Sequence, residues 1–204
     1  MLGTDSANGK RTTATLLVKA LQDSGIKATL VCTGQTGLMQ GARYGIPLDA
    51  IPSQFCSGEV EAAVVEAYNN EQPAVIVIEG QGSLSHPAYL SSSFILRGSQ
   101  PQAVILQHAP ARLNRCDFDF LKVPSPASEI RLIEAFATTR VIGLTLNHEG
   151  LDQDALIAAM ALYEAELNIP VTDPLSRPPE RLVAMVLDAF PELHNSRTKL
   201  NKIV

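Results

Sequence analysis

The sequence predicts an α/β domain of three layers, with a mostly parallel sheet between two layers of helices. Three observations predict it. Short β-branched apolar runs alternate along the chain with longer stretches of helical period. The runs are apolar at every position, as strands covered on both faces require. A glycine–lysine loop opens the first helical stretch, where such folds hold phosphate groups. With 204 residues, 46% of them hydrophobic and 18% charged, the chain is long enough to bury one large core.

The elements follow in order. Lys10–Ser24 reads as a helix after the opening loop, and Ala28–Cys32 (ATLVC) as the next strand. Residues 33–56 are rich in Gly, Gln and Pro and read as a long loop, with Asp49 in it and Glu59 at the start of the following helix, Gly58–Asn70. Ala74–Ile78 (AVIVI) is a buried strand, followed by a second long loop over residues 79–101. Ala103–Leu106 (AVIL) and Arg140–Leu146 (RVIGLTL) are further strands, with a helix at Ser128–Thr138 between them. Two helices close the pattern at Asp152–Asn168 and Pro179–Phe190, the first with acidic residues at its positive end. Strand–helix alternation of this kind favours right-handed parallel crossovers. One domain is expected over residues 1–193, with a polar tail carrying three basic residues over 194–204.

Composition narrows the partners. The formal net charge of −5, with no basic run longer than a pair, argues against a nucleic-acid surface and favours small molecules. Cys32, Cys56 and Cys116 are an odd count outside any C-x-x-C frame, so a zinc site or disulfide framework is not expected. They read as plain thiols in a reducing compartment. No apolar run approaches the ~20 residues of a membrane span, and Gly3, Asp5 and Lys10 interrupt the start before any signal-peptide core forms. The expected location is the cytoplasm.

The opening GTDSANGK carries the strongest chemical signal. Gly3, Thr4, Asp5, Asn8, Gly9, Lys10, Arg11 and Thr12 form the expected phosphate cradle. Glycines let backbone N–H groups turn inward, and the helix N-terminus adds positive potential. Lys10 then meets the outer phosphates, and a following hydroxyl meets Mg²⁺. Five residues separate Gly3 from Gly9, where the usual loop has four, and Arg11 stands where Ser or Thr is usual. Thr12 or Thr13 must then be the metal-side hydroxyl. The plainer alternative is a glycine turn with Asn8 capping the helix and no ligand. Only Met1 and Leu2 precede Gly3, so the first strand reads as truncated and the chain as a fragment of a longer protein.

The second strand-end cluster is Glu79-Gly80-Gln81-Gly82, followed by His86-Pro87. Glu79 suits a magnesium ligand opposite Lys10, or a loop brace. Glu79, Gln81 and His86 are the catalytic candidates, with His86 or Glu79 as the general base and a plain loop histidine as the alternative at His86. Thr33, Gln35 and Thr36 in the CTGQTG turn offer hydroxyls and an amide to an oxygen-rich substrate. Arg112 and Arg115, downstream of the strand-end His108, can meet a carboxylate or phosphate bidentately, or equally stand as solvated loop charge. Asn147, at the end of RVIGLTL, can read a base edge or simply close a turn.

GTDSANGK and VIVIEGQG resemble the modified phosphate loop and the strand-then-Glu-Gly magnesium motif of dethiobiotin synthetase. The match along the chain is closer to a second family. GTD-x-x-x-GK-R-T-T, CTGQTG, IEGQGSLSHPAY, GSQPQAVILQH, GLTLNHEGL and IPVTDP resemble the C-terminal domain of DgcN-type proteins, long catalogued as a domain of unknown function. The resemblance runs from about Gly3 to about Pro174. It implies a P-loop NTPase-like fold akin to dethiobiotin synthetase. It also implies Lys10 in the phosphate cradle, Glu79, Gln81 and His86 in the active cleft, and residues 33–37 near the substrate. The characterised family member is a D-glutamate N-acetyltransferase using acetyl-CoA. Full-length members carry a separate N-terminal domain, which is expected to be absent from this fragment, and Arg11-Thr12-Thr13 departs from the characterised branch.

Three functions follow as expectations. The first is an acetyltransferase moving the acetyl group of acetyl-CoA to the amino group of an acidic amino acid. The second is an ATP-dependent ligase or phosphoryl-transfer enzyme with Mg²⁺ held by Thr12 and Glu79, and adenine read by Asn147. The third is a nucleotide-binding domain without turnover. Gly-rich surfaces and a short sheet edge also leave room for a homo-oligomer.

Overall fold

The computed structural model describes residues 1–197. In chain order the elements are β1 (Leu2–Gly3), α1 (Lys10–Asp23), β2 (Ala28–Cys32), α2 (Gln35–Met39), β3 (Tyr44–Gly45), α3 (Ser53–Glu71), β4 (Val75–Ile78) and α4 (Ser91–Ser99). There follow β5 (Ala103–His108), β6 (Asn114–Arg115), β7 (Phe118–Lys122), α5 (Pro126–Phe136), β8 (Arg140–Leu146), α6 (Gln153–Leu167), β9 (Val171–Thr172), α7 (Glu180–Ala189) and α8 (His194–Arg197). The fold is the expected α/β sandwich. One parallel sheet runs β1-β5-β8-β9 and a second runs β3-β2-β4. They meet at β1, where the Met1 nitrogen donates to the Ile78 carbonyl at 2.8 Å.

Two helix layers cover the strands. Leu17, Leu21 and Ala14 of α1 pack with Leu182, Val183 and Val186 of α7 over Val77 and Ile105 on one face. On the other, Val60 and Ala63 of α3 close over Val31 and Ile78, while Ile133 of α5 and Leu156 of α6 close over Leu106 and Leu144. The helix starts follow local chemistry. Ser125 caps α5 before Pro126, and the Asp152 carboxylate accepts the Ala155 N–H at 2.8 Å to start α6. Among the described residues no helix is long and apolar enough to cross a membrane.

Four expectations change, while the first strand, truncated as expected, is present as two residues paired in parallel with Leu106 and Gln107. Below it, β4 and β5 flank an apolar groove of about 510 Å³. The loop over 79–101 contains helix α4, whose serine-rich start hides its apolar positions Phe94, Ile95 and Leu96. Helix α3 begins five residues earlier than its expected start at Gly58, because Pro52 supplies the turn before Ser53. An antiparallel hairpin, β6–β7, stands outside the parallel scheme. The expected tail is helical as far as Arg197, and residues 198–204 lie outside the described residues.

Helices α3 and α4 cross at Gly98. A β-carbon there would stand 2.2 Å from the Ser57 carbonyl oxygen and 2.8 Å from Val60 Cβ. Backbone cannot yield as a flexible side chain can. Gly98→Ala is therefore expected to cost about 2–3 kcal/mol of stability, as overpacking does. Urea denaturation checks it; an unchanged midpoint would mean the two helices slide apart freely.

Candidate functional site

The loop between β1 and α1 is held from below by β5. Thr4 N–H donates to the Gln107 carbonyl at 3.0 Å, and the Asn8 side chain donates to the same oxygen at 2.9 Å. Thr4 Oγ1 also meets His108 Nδ1 at 2.8 Å. Asn8 is thus a strut to β5, and the residue before α1 is Gly9, with φ of 104° and no side-chain cap. That left-handed conformation favours glycine. Without a capping side chain, the first N–H groups of α1 keep their donor capacity for an anion.

Lys10 is buried, with Nζ donating to the Asp5 carbonyl at 2.5 Å and to Asn8 Oδ1 at 3.1 Å. Burial first, then the Arg112 charge, bring its pKa down to about 8, against the pull of Asp5 and Glu79. A cation kept in so costly a place is poised for a negative partner. Of the two hydroxyl candidates, Thr13 is buried and donates to Gln107 Oε1 at 2.6 Å, so it is spent on the fold. Thr12 borders the pocket above the loop.

That pocket, about 630 Å³, unites most of the expected residues. Residues 6–12 form one wall, Gly34, Gln35 and Thr36 a second, and Glu79, Gly80, Gln81 and Gly82 a third, with Asp49 at the edge. Both second-strand loops reach it because β2 and β4 are parallel neighbours, so their C-terminal ends lie side by side. Glu79 is buried; its Oε2 accepts the Thr33 N–H at 3.0 Å, and its carbonyl accepts the Thr33 hydroxyl at 3.0 Å. Gln81 donates to Thr33 Oγ1 at 3.1 Å. Thr33 therefore positions Glu79 and Gln81 and does not face the pocket itself. Below it, burial and the Glu79 charge push the Cys32 thiol up to about 12, so it is inert. All three cysteines are free thiols, as the sequence suggests.

Other expected residues stand elsewhere. The Asn147 amide donates to the Asn8 carbonyl at 3.2 Å and its oxygen accepts the Glu149 N–H at 3.0 Å. Both ends are engaged in bracing the loop, so of its two expected roles Asn147 takes the turn and not the base edge. Arg112 is likewise occupied: it donates to the Ser6 and Ala7 carbonyls and pairs with Glu149 at 2.8 Å. It fastens the loop from outside and holds no free fork for a carboxylate. His86 differs most from its expected role as a base. Its Nδ1 accepts the Ala88 and Tyr89 N–H groups, each at 3.2 Å, so the neutral ring carries its proton on Nε2. Burial and the Arg115 charge lower its pKa. His86 is a buried donor.

Sequence reasoning passed over a pair at the far side of the loop. His148 Nδ1 meets Asp173 Oδ2 at 2.5 Å, and Asp173, fully buried, also accepts the Ser176 hydroxyl at 2.7 Å and the Leu175 N–H. The signals were present in GLTLNHEGL and IPVTDP, where His148 and Asp173 follow the ends of β8 and β9. Parallel pairing of those strands brings them together. As for a metal, Thr12 and Glu79 border one pocket, but no group of three acidic, His or Cys side chains gathers there among the described residues.

A family model described as the P-loop domain of DUF1611, a domain of unknown function, matches residues 1–183. The chain is 33% identical over 189 residues to a D-glutamate N-acetyltransferase of Tritonibacter scottomollicae, covering 89% of the chain and 55% of that protein. A second D-glutamate N-acetyltransferase, from a Pseudoalteromonas species, is 31% identical over 90% of the chain and 56% of its own length. The chain thus spans about half the length of these relatives. A crystal structure of a DUF1611 family protein from Anabaena variabilis superposes with a TM-score of 0.85 at 34% identity, covering 92% of this chain and 56% of that one. The signal recognition particle 54 kDa protein of Aeropyrum pernix, in complex with GDP, shares the fold alone, with a TM-score of 0.55 at 15% identity.

Proposed function

The chain belongs to the DUF1611 family through its P-loop domain, and from that premise we propose that it holds the phosphates of acetyl-CoA for acetyl transfer to the amino group of an acidic amino acid. One observation carries the reading. A buried lysine, an uncapped helix start and a buried carboxylate, Glu79, border a single pocket. The names of the two relatives supply the reaction class.

In this reading Lys10 and the first N–H groups of α1 hold the diphosphate or 3′-phosphate of the coenzyme. The acceptor amine must first lose a proton. Glu79 is the base that fits, because His86 has its acceptor nitrogen engaged. The amine lone pair then attacks the thioester carbon, a C–N bond forms, and the C–S bond breaks with the thiolate leaving to be protonated. Leu84 and Ser85 give their N–H groups to Glu129, so the oxyanion donors fall to Gly80, Gln81 and Gly82 at the pocket wall. Gln35 and Thr36, exposed at the opposite wall, are placed to meet substrate oxygens.

A second reading rests on Thr12 and Glu79 bordering the same pocket as Lys10. These residues suit Mg²⁺ beside a nucleoside triphosphate, and the metal there would offset phosphate charge. Calorimetric titration separates the two. Heat with acetyl-CoA that needs no Mg²⁺ is the expected result. Binding only of ATP, and only with Mg²⁺, would overturn the acetyl-CoA reading in favour of phosphoryl chemistry.

A further inference from the structure

Two buried polar atoms close to the P-loop have no partner, and they are of opposite kinds. Asp5 is 1% exposed; its Oδ2 accepts the Cys116 N–H at 2.8 Å and lies 3.6 Å from Arg112, while Oδ1 has no hydrogen bond. His86 is 4% exposed, and its Nε2 has none either. Since Nδ1 accepts two backbone N–H groups, that Nε2 carries hydrogen and is an orphaned donor. A buried acceptor and a buried donor left unmet each cost stability. Such a cost in a native fold calls for an explanation.

A third group stands with them. Arg115 is 7% exposed and donates to Ser83 Oγ at 2.7 Å and to Ser85 Oγ at 2.9 Å. No carboxylate of the described residues lies within salt-bridge distance of it. It is a buried cation whose own contacts are neutral. The three groups are joined by chain. Arg115 and Cys116 are adjacent on the β6–β7 hairpin, Cys116 N–H holds Asp5, and Arg115 holds the Ser83–Ser85 segment that leads to His86. Tyr89 stacks on the His86 ring at 4.3 Å, Phe118 of β7 meets its edge at 5.2 Å, and the Tyr89 hydroxyl donates to Asp117 at 3.0 Å. An aromatic wall and a hairpin thus close over a carboxylate, a guanidinium and an imidazole N–H.

We propose that Asp5, His86 and Arg115, beneath the β6–β7 hairpin, form a second subsite beside the P-loop pocket that binds the acceptor as a zwitterionic amino acid. Asp5 Oδ1 takes the ammonium group. His86 Nε2–H and Arg115 take a carboxylate. The subsite adjoins the phosphate pocket because Asp5 lies within the loop itself, and a β-carbon on Gly82 of the pocket wall would stand 3.5 Å from Ser6 Oγ and 3.4 Å from Tyr89 Cβ. The proposal rests on the acetyl-transfer reading for the identity of its ligand, but its geometry is independent of what the P-loop holds. It also accounts for a hairpin that the α/β fold does not need.

The test follows the His86 imidazole by nitrogen-15 NMR of the whole chain during titration with D-glutamate, with and without coenzyme A. The Nε2–H tautomer is expected at the outset, and its resonance should shift saturably. Glutarate, which lacks the ammonium, and 4-aminobutyrate, which lacks the α-carboxylate, should each bind at least tenfold more weakly. Asp5→Asn should weaken D-glutamate by tenfold or more and largely remove its preference over glutarate. An unmoved His86 signal at saturating D-glutamate, or glutarate binding as well as D-glutamate, would overturn the subsite. Coenzyme A binding without any amino-acid response would leave the P-loop reading standing and remove this one. An amino-acid response without coenzyme A binding would do the reverse.

Discussion

Lys10→Ala is expected to weaken acetyl-CoA binding by about thirtyfold or more, and Lys10→Met to do the same while raising the stability of the unliganded chain. The two effects share one cause. The ammonium group is buried beneath the loop, where its pKa falls from 10.5 to about 8. Its partners are a carbonyl and an amide oxygen, and neither carries a charge. A phosphate adds a direct countercharge to the partial one that Asp5 and Glu79 supply. Truncating one partner of such a buried charged contact typically costs 2–5 kcal/mol, roughly 30- to 5,000-fold in affinity. The sign for folding is the opposite. A lysine whose folded pKa is depressed is destabilising while charged, so that penalty is largest below pH 8 and fades between pH 8 and 10.5. Binding needs the charge, so acetyl-CoA affinity should fall as pH rises through about 8. Titrations at pH 7 and pH 9.5, with thermal melts of wild type and Lys10→Met, check both limbs. Equal affinity at the two pH values, or a Lys10→Met variant less stable than wild type at pH 7, would show that the lysine is a fold residue and no phosphate ligand.

That opposition between binding and stability also bears on what was legible in the sequence. Gly9-Lys10 and Glu79-Gly80-Gln81-Gly82 were readable because each combines local backbone chemistry with a strand end, and parallel strands align their ends. Their meeting in one pocket follows from β2 and β4 running the same way, with the start of β1 held to the end of β4 by the Met1–Ile78 hydrogen bond. Helix α4 was not readable. Three serines begin it and Gly98 sits near its end, so local propensity argues for a loop, and packing against α3 decides otherwise. The roles of Asn147, Arg112 and His86 were not readable either. Residue type says what an amide, a guanidinium or an imidazole is able to do. Only the fold says which of its atoms are already taken: the Asn147 amide by Asn8 and Glu149, the Arg112 fork by Ser6, Ala7 and Glu149, and His86 Nδ1 by two N–H groups. The converse case is Asp5, read from GTDSANGK as part of the phosphate cradle, whose orphaned oxygen only the fold reveals.

His108 shows the same competition between a polar group and its burial, and it predicts how the domain responds to acid. The ring ends β5 with Nδ1 against the Thr4 hydroxyl at 2.8 Å and Nε2 against the Tyr163 hydroxyl at 3.1 Å, so it ties the phosphate loop to α6. It is buried, and burial alone brings its pKa from 6.5 to about 4. Above pH 6.5 both the folded and unfolded chains hold it neutral, and stability is full. Below pH 6.5 the unfolded chain gains a proton that the folded chain refuses until about pH 4, so stability must fall as pH drops through this window. Linkage puts the loss near ~2 kcal/mol at pH 5 and ~3 kcal/mol below pH 4. His86, also lowered, adds in the same direction, so the wild-type slope alone does not isolate His108. The difference between wild type and His108→Gln does. The variant keeps a donor and an acceptor but cannot titrate, and its stability should decline less steeply between pH 7 and pH 5, by about 2 kcal/mol. Parallel pH profiles for the two proteins would mean that His108 carries its proton in the folded chain as readily as in the unfolded one, and that Thr4 and Tyr163 bind an imidazolium.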